Sequence, residues 1–240
     1  TWIACNPAEN AIYNNQTGQL TLNYKHAGPG DMEHTCYVKF DLFTSPAANN
    51  PAFQQHGYAT ARVTVTGDPS IKSRIWPSFW LEGRAAWPTY GEIDNAEYMA
   101  GQQNWTTHTN LHGGAPGGGD VQRPAVVDYG KPGLGDINVS HVYGIEWQYD
   151  AATKGYILRT YFDNVQVGKD VILSGNPGVY PDAAIIKGLT NKDGNGMQIV
   201  FDADDIGSNV DPHINPSVVK NLPTLNYTMT VTDMNAYTVR

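Results

Sequence analysis

Three acidic side chains, Glu92, Asp94 and Glu97, fall within six positions of the stretch WPTYGEIDNAEYMAG, residues 87–101, in a chain that is only 16% charged. On an α-helix their steps of two and five residues would turn through roughly 200° and 500° and scatter them. On a regular strand Glu92 and Asp94 share a face while Glu97 points to the other. One β-bulge between Asp94 and Glu97 reverses that parity, and Asn95 and Ala96 are small enough to occupy it. Three carboxyls on one face repel one another when all are ionised, so at least one is favoured to keep its proton. An ionised carboxylate beside a protonated carboxyl, about 5 to 5.5 Å apart, is the pair that cleaves a glycosidic bond through a covalent intermediate.

The elements around the acids must supply a sheet. Residues 58, 60, 62 and 64 of YATARVTV alternate with Ala59, Ala61, Val63 and Val65, the period of a half-buried strand. Similar short runs recur, among them QLTLNY, CYVKFDLF, SFWLEG, HVYGIEWQYD, MQIVFDADDI and YTMTVTDMNAYTV. Turn signals such as TGDPS, GGAPGGGD, SGNPG and KDGNG separate them. Nowhere is a helical period sustained over a window of about 11 residues or more. The expected fold class is all-β, two packed antiparallel sheets of the sandwich or jelly-roll type, in one domain over residues 1–240. NKDGNG reads as a hairpin. GGAPGGGD lacks a Gly-Lys-Ser/Thr ending and reads as a border of the site, not a phosphate loop.

Composition excludes several partners. Fifteen Lys and Arg against 23 Asp and Glu give a net charge of -8, and no basic cluster offers a surface to nucleic acid, anionic lipid or sulfated polymers. A membrane-spanning helix needs roughly 18 consecutive apolar residues. No run here approaches that length. The start, TWIACNPAEN, lacks the zones of a signal peptide, so an exported protein would be in its mature form here. A disulfide between Cys5 and Cys36 is favoured over two buried thiols. With sequons at Asn15, Asn104, Asn138 and Asn226, this points to an extracellular protein.

WPTYGEIDNAEY resembles the signature of glycoside hydrolase family 16 in its bulged form, Glu-x-Asp-x-x-Glu, as found in laminarinases and related endo-β-glucanases. HGYATARVTV, RIWPSFWLEG, HTNLHGG, HVYGIEWQYD and YFDNVQV resemble its flanking elements in the same order; Asn95 and Ala96 depart from it, where members more often carry an aliphatic residue and a Met. The resemblance implies a β-jelly roll with a concave sugar-binding cleft. It makes Glu92 the nucleophile, Glu97 the general acid/base and Asp94 a hydrogen-bond partner of the nucleophile. Trp76, Trp80 and Trp87 are expected to stack on sugar rings; Arg62 resembles an arginine that contacts sugar hydroxyls, with a surface salt bridge as the alternative, and His112 resembles a cleft histidine near the cleavage point, whereas Trp147 is expected in the core. His26, His34 and His213 receive no role.

The expected activity is endo-acting, retaining hydrolysis of a β-1,3 or mixed β-1,3/1,4 glucan by a monomer. Transglycosylation, another neutral polysaccharide such as galactan or agarose, and a sugar-binding module without chemistry are the alternatives. No organic cofactor is expected; the resemblance allows one structural calcium, without mapped ligands.

Overall fold

The computed structural model describes residues 2–5, 10–26, 36–42, 51–67, 75–97, 109–125, 138–191, 193–205 and 224–239. In chain order the strands are β1 (Trp2–Cys5), β2 (Ala11–Asn14), β3 (Gln19–His26), β4 (Cys36–Asp41), β5 (His56–Gly67), β6 (Ile75–Gly83), β7 (Glu92–Glu97), β8 (Thr109–Gly113), β9 (Val121–Ala125), β10 (His141–Asp150), β11 (Gly155–Phe162), β12 (Val165–Leu173), β13 (Met197–Asp205) and β14 (Leu225–Thr238). They form two seven-stranded sheets, ordered β1-β4-β13-β6-β7-β8-β9 and β12-β11-β10-β5-β14-β3-β2. Every pairing in them is antiparallel. This is the β-jelly-roll sandwich that the alternating pattern implies.

Period two decides which side chains meet between the sheets. Ala59, Ala61, Val63 and Val65 of β5 are buried, and Thr60, Arg62 and Thr64 are wetter. From the other sheet Phe79, Leu81, Ile93, Leu111, Ile199 and Phe201 complete the core, with Phe79 and Phe201 stacked at 5.0 Å. Each buried aromatic is worth about 3–5 kcal/mol against alanine. Trp147 is fully buried, as expected, and its indole N–H donates to the Phe53 carbonyl at 3.0 Å.

Among the described residues two short helices depart from the strand-only reading: α1 (Pro51–Gln55) and α2 (Asp182–Thr190). Helix α2 is shorter than the window in which a helical period shows, yet Ala184, Ile185, Gly188 and Leu189 form one buried stripe, as an amphipathic helix requires. The hairpin reading of NKDGNG is corrected. Asn191 is left-handed at φ 46° and caps α2, the usual stop for a helix that ends without glycine. Its side-chain oxygen accepts from Gly196 N–H at 2.7 Å. This segment therefore leads the helix into β13.

Helix α2 braces the turn before β7. A Cβ on Gly91 would stand 2.6 Å from the Ile185 backbone. The φ of Gly91 is 72°, so only glycine fits both demands. Gly91 and Gly114 N–H both donate to the Pro88 carbonyl, at 3.1 and 3.0 Å, which ties this turn to the end of β8. At the edge of the same sheet, Cys5 lies directly opposite Cys36 in the β1–β4 register. No described helix is long and apolar enough to cross a membrane.

Candidate active site

Strand β7 has the irregularity that the acid spacing requires. Along β6 the residues Glu82, Trp80 and Ser78 follow at steps of two and share one face. Their partners on β7 are Glu92, Asp94 and Glu97, because the register shifts where Phe79 faces Ala96 and Trp80 faces Asp94. Asn95 is the extra residue. Ile93 and Ala96 consequently stay in the core while all three acids emerge on the outer face of the first sheet.

That face is crowded, so the acids have limited access to water. Asp94 is 4% exposed and Glu82 8%. Trp76 and Trp80 flank Ser78 along β6; Trp76 hydrogen-bonds Glu97, and the Trp80 indole N–H donates to Asp202 at 3.3 Å. Trp87, 54% exposed on the turn between β6 and β7, donates to Oε2 of Glu92 at 2.8 Å. Asn110 donates to Glu97 at 3.1 Å, and Nε2 of His112 stands 3.3 Å from Oδ2 of Asp94. Lys39 pairs with Glu82.

Burial, more than any single neighbour, sets the titration of the trio. It pushes Glu92 up to about 9, with the Asp94 charge adding to the rise while His112 and the Trp87 indole oppose it. Asp94 is raised well above its usual range by burial and then by Glu97, and it shares a hydrogen bond with Glu92. Burial also raises Glu97, against the Asn110 amide, His112 and Trp76. The hydrogen bond from Glu92 works against the rise of Asp94, so the carboxyls of the site do not titrate independently.

The structure thus gathers Glu92, Asp94, Glu97, Trp76, Trp80, Trp87 and His112 on one face. Arg62 is corrected: β5 belongs to the other sheet, and Arg62 points outward from it, paired with Asp233 at 2.8 Å. Its wet-face parity was legible in the sequence, but not which sheet carries that face. Asn110 and Asp120 are additions. Asn110 alternates with Leu111 and shares the His112 face, a period-two signal already present in TNLHG. Asp120 has no such signal, being brought to His112 by a loop.

Glu92, Asp94 and His112 can each present one ligand atom within 4.8 Å of the others. Calcium takes six to eight oxygens. Two carboxylates and an imidazole do not fit it.

A family model for the glycosyl hydrolases of family 16 matches residues 3–161. No curated protein sequence matches the chain. Among solved structures, a family 16 endo-glucanase from Bacteroides ovatus, in complex with G4G3G-2F-DNP, is similar with a TM-score of 0.57 and 18% identity, covering 92% of this chain and 83% of that one. An endo-1,3-β-glucanase from Streptomyces sioyaensis gives 0.55 and 18%, over 97% and 80%. A structure reported with endo-acting O-glycanases by which human gut microbiota initiate mucin breakdown gives 0.56 and 16%, over 97% and 83%. At such identities these likenesses speak for the shared fold.

Proposed function

The chain belongs to the glycosyl hydrolases of family 16, and we propose that it is an endo-acting, retaining hydrolase of a neutral β-glucan with β-1,3 or mixed β-1,3/1,4 linkages. The observation that carries the chemistry is the register shift at Asn95, which puts two glutamates on one face with an aspartate between them. The linkage preference follows the glucanases that share the fold and the absence of a basic cluster for sulfated chains.

Glu97 is the general acid. Burial favours its protonated form, and the Asn110 amide holds one carboxyl oxygen, so that the other can deliver a proton to the glycosidic oxygen. Glu92 is the nucleophile. Of the hydrogen-bonded pair, Asp94 is the more deeply buried and there a charge costs most, whereas Glu92 receives the Trp87 N–H. Glu92, which burial and the Asp94 charge keep protonated at rest, therefore passes its proton to Asp94 before it attacks the anomeric carbon. Glu97, now ionised, then draws a proton from the water that releases the glycosyl ester. Trp76, Trp80 and Trp87 offer rings to the apolar faces of the sugars.

We also propose export to an oxidising compartment. Directly opposed residues of an antiparallel pair have Cα atoms about 5 Å apart, a separation that suits a disulfide. Cys5 and Cys36 are so opposed. Exposed Asn15, Asn138 and Asn226 leave three sequons open to glycosylation.

The test is a reducing-end assay on laminarin, lichenan, galactan, agarose and mucin O-glycans, with Glu92→Gln and Glu97→Gln beside the wild type. Glucan turnover that falls at least about 10³-fold in both variants supports the reading. Activity confined to a non-glucan would refute the substrate, and an active Glu92→Gln would refute the site.

A further inference from the structure

The glycine-rich connection from β8 to β9, residues 114–120, is built for a close return of the chain. A Cβ on Gly114 would lie 2.2 Å from the Gly119 carbonyl oxygen and 2.9 Å from Pro88, so a residue without a side chain is needed for the two arms to pass. Gly118 N–H donates to the Ala115 carbonyl at 2.8 Å and closes the turn. The return delivers Asp120 to His112. Oδ2 of Asp120 lies 2.8 Å from Nδ1 of the ring, while Oδ1 accepts from the Gly113 N–H at 3.0 Å. Across the ring, Nε2 faces Oδ2 of Asp94 at 3.3 Å and the Gln122 amide at 3.4 Å.

We propose that Asp120 is a positioning residue for the acid cluster: it keeps a proton on Nδ1 of His112, so that Nε2 presents to Asp94 and one further proton is shared between ring and carboxyl. This rests on the glycosidase reading of Glu92, Asp94 and Glu97. An ionised carboxylate only accepts, so Nδ1 must donate to Asp120. Nε2 then shows either a lone pair to protonated Asp94 or an N–H to ionised Asp94, and both arrangements carry the same net charge over the pair. The groups bearing on the ring are Glu92, Asp94 and Glu97 from β7, Asp120 from the connection, and neutral Gln122 from β9. Asp94 can therefore release or regain its proton without altering the net charge that Glu92 and Glu97 face. Without the Asp120 carboxylate no acceptor holds the proton on Nδ1.

Asp120→Asn tests this with little change of shape. The amide oxygen still accepts from Gly113 N–H, but an N–H₂ donor now faces Nδ1 and forces the proton to Nε2. Long-range proton–nitrogen NMR of the histidine rings, with His112→Gln for assignment, reads the tautomer, and kcat and KM are followed against pH. The wild type is expected with Nδ1 protonated and the variant with Nε2 protonated. Expected kinetics are a kcat lower by about 10- to 100-fold, the loss typical of carboxylates that orient a metal-binding histidine, KM within about twofold, and a pH optimum moved by about half a unit or more. In a His112→Gln background the same change should cost less than about twofold. A wild-type ring protonated only on Nε2, or an unchanged kcat and pH profile in Asp120→Asn beside an inactive Glu92→Gln, overturns this inference and leaves the glycosidase reading standing. Activity in Glu92→Gln overturns that reading instead. If Asp120→Asn does not fold, the wild-type tautomer decides.

Discussion

Glu92 and Glu146 are both glutamates on the outer face of a sheet with little access to water, one on each side of the sandwich, and they are driven in opposite directions. Burial pushes Glu146 up as well, but a Tyr161 hydroxyl, His56 at 2.6 Å and Arg159 at 3.2 Å together outweigh it and leave the carboxyl below its usual range. Glu92 has Asp94 beside it, and His112 and the Trp87 indole do not compensate. A buried carboxylate surrounded by donors and a cation holds two strands together. One left among its own kind retains a proton at a cost in stability, which is the condition that acid/base chemistry uses.

The setting of Glu92 depends first of all on the bulge. Deleting Asn95 restores regular parity to β7 and turns either Glu97 or the Glu92–Asp94 pair into the core. Turnover should fall at least about 10³-fold, with a loss of cooperative thermal unfolding, whereas Asn95→Ala should keep activity within about tenfold. Circular dichroism melts beside the reducing-end assay separate the two outcomes.

Glu146→Gln and Glu92→Gln sharpen the contrast through pH. Because the Glu146 carboxyl is depressed, its contribution is present at neutral pH and is lost as pH falls through the carboxylate range. Glu146→Gln should therefore cost about 1–3 kcal/mol at pH 7, a Tm lower by about 3 to 10 °C, with kcat unchanged and the gap closing only as pH falls below about 4. Glu92 has the opposite sign. Its folded value of about 9 exceeds the ordinary glutamate value of about 4.3. The native state thus keeps a proton that the unfolded chain gives up, and stability declines as pH rises between the two values. Glu92→Gln does not titrate and should melt about 2 to 6 °C above the wild type at pH 8, with the gain vanishing near pH 4. A gain that grows on acidification would contradict the burial of Glu92.

The smallest effect belongs to Arg62→Ala. Its ion pair with Asp233 is exposed. Such a pair is worth at most about 0.5 to 1 kcal/mol, and kcat/KM should stay within about twofold of the wild type. A tenfold loss would place Arg62 in contact with substrate after all.

Much of the site was legible because a strand has a period of two. Glu92, Asp94 and Glu97 could share a face only through an inserted residue, and that insertion is Asn95. The alternation of β5 gave its core side without error, and Trp147 went where the parity of Tyr143 and Ile145, both buried, carries it. Helix α2 leaves no mark in the sequence pattern because it is too short to display a period, and its buried stripe takes its meaning from what it packs on, Gly91, Tyr90 and Gly113 among them. Asn110 was within reach of the same parity argument that placed His112.

The order of residues alone determined the β class, the in-and-out alternation and the need for one extra residue among the acids, since these follow from backbone geometry over a few neighbouring positions. Tertiary structure decided which sheet Arg62 occupies, that Trp87 reaches Glu92, and that a loop returns Asp120 to His112. It also fixed the protonation of the trio, because burial depends on what the whole chain packs around a carboxyl and not on the residues beside it in sequence.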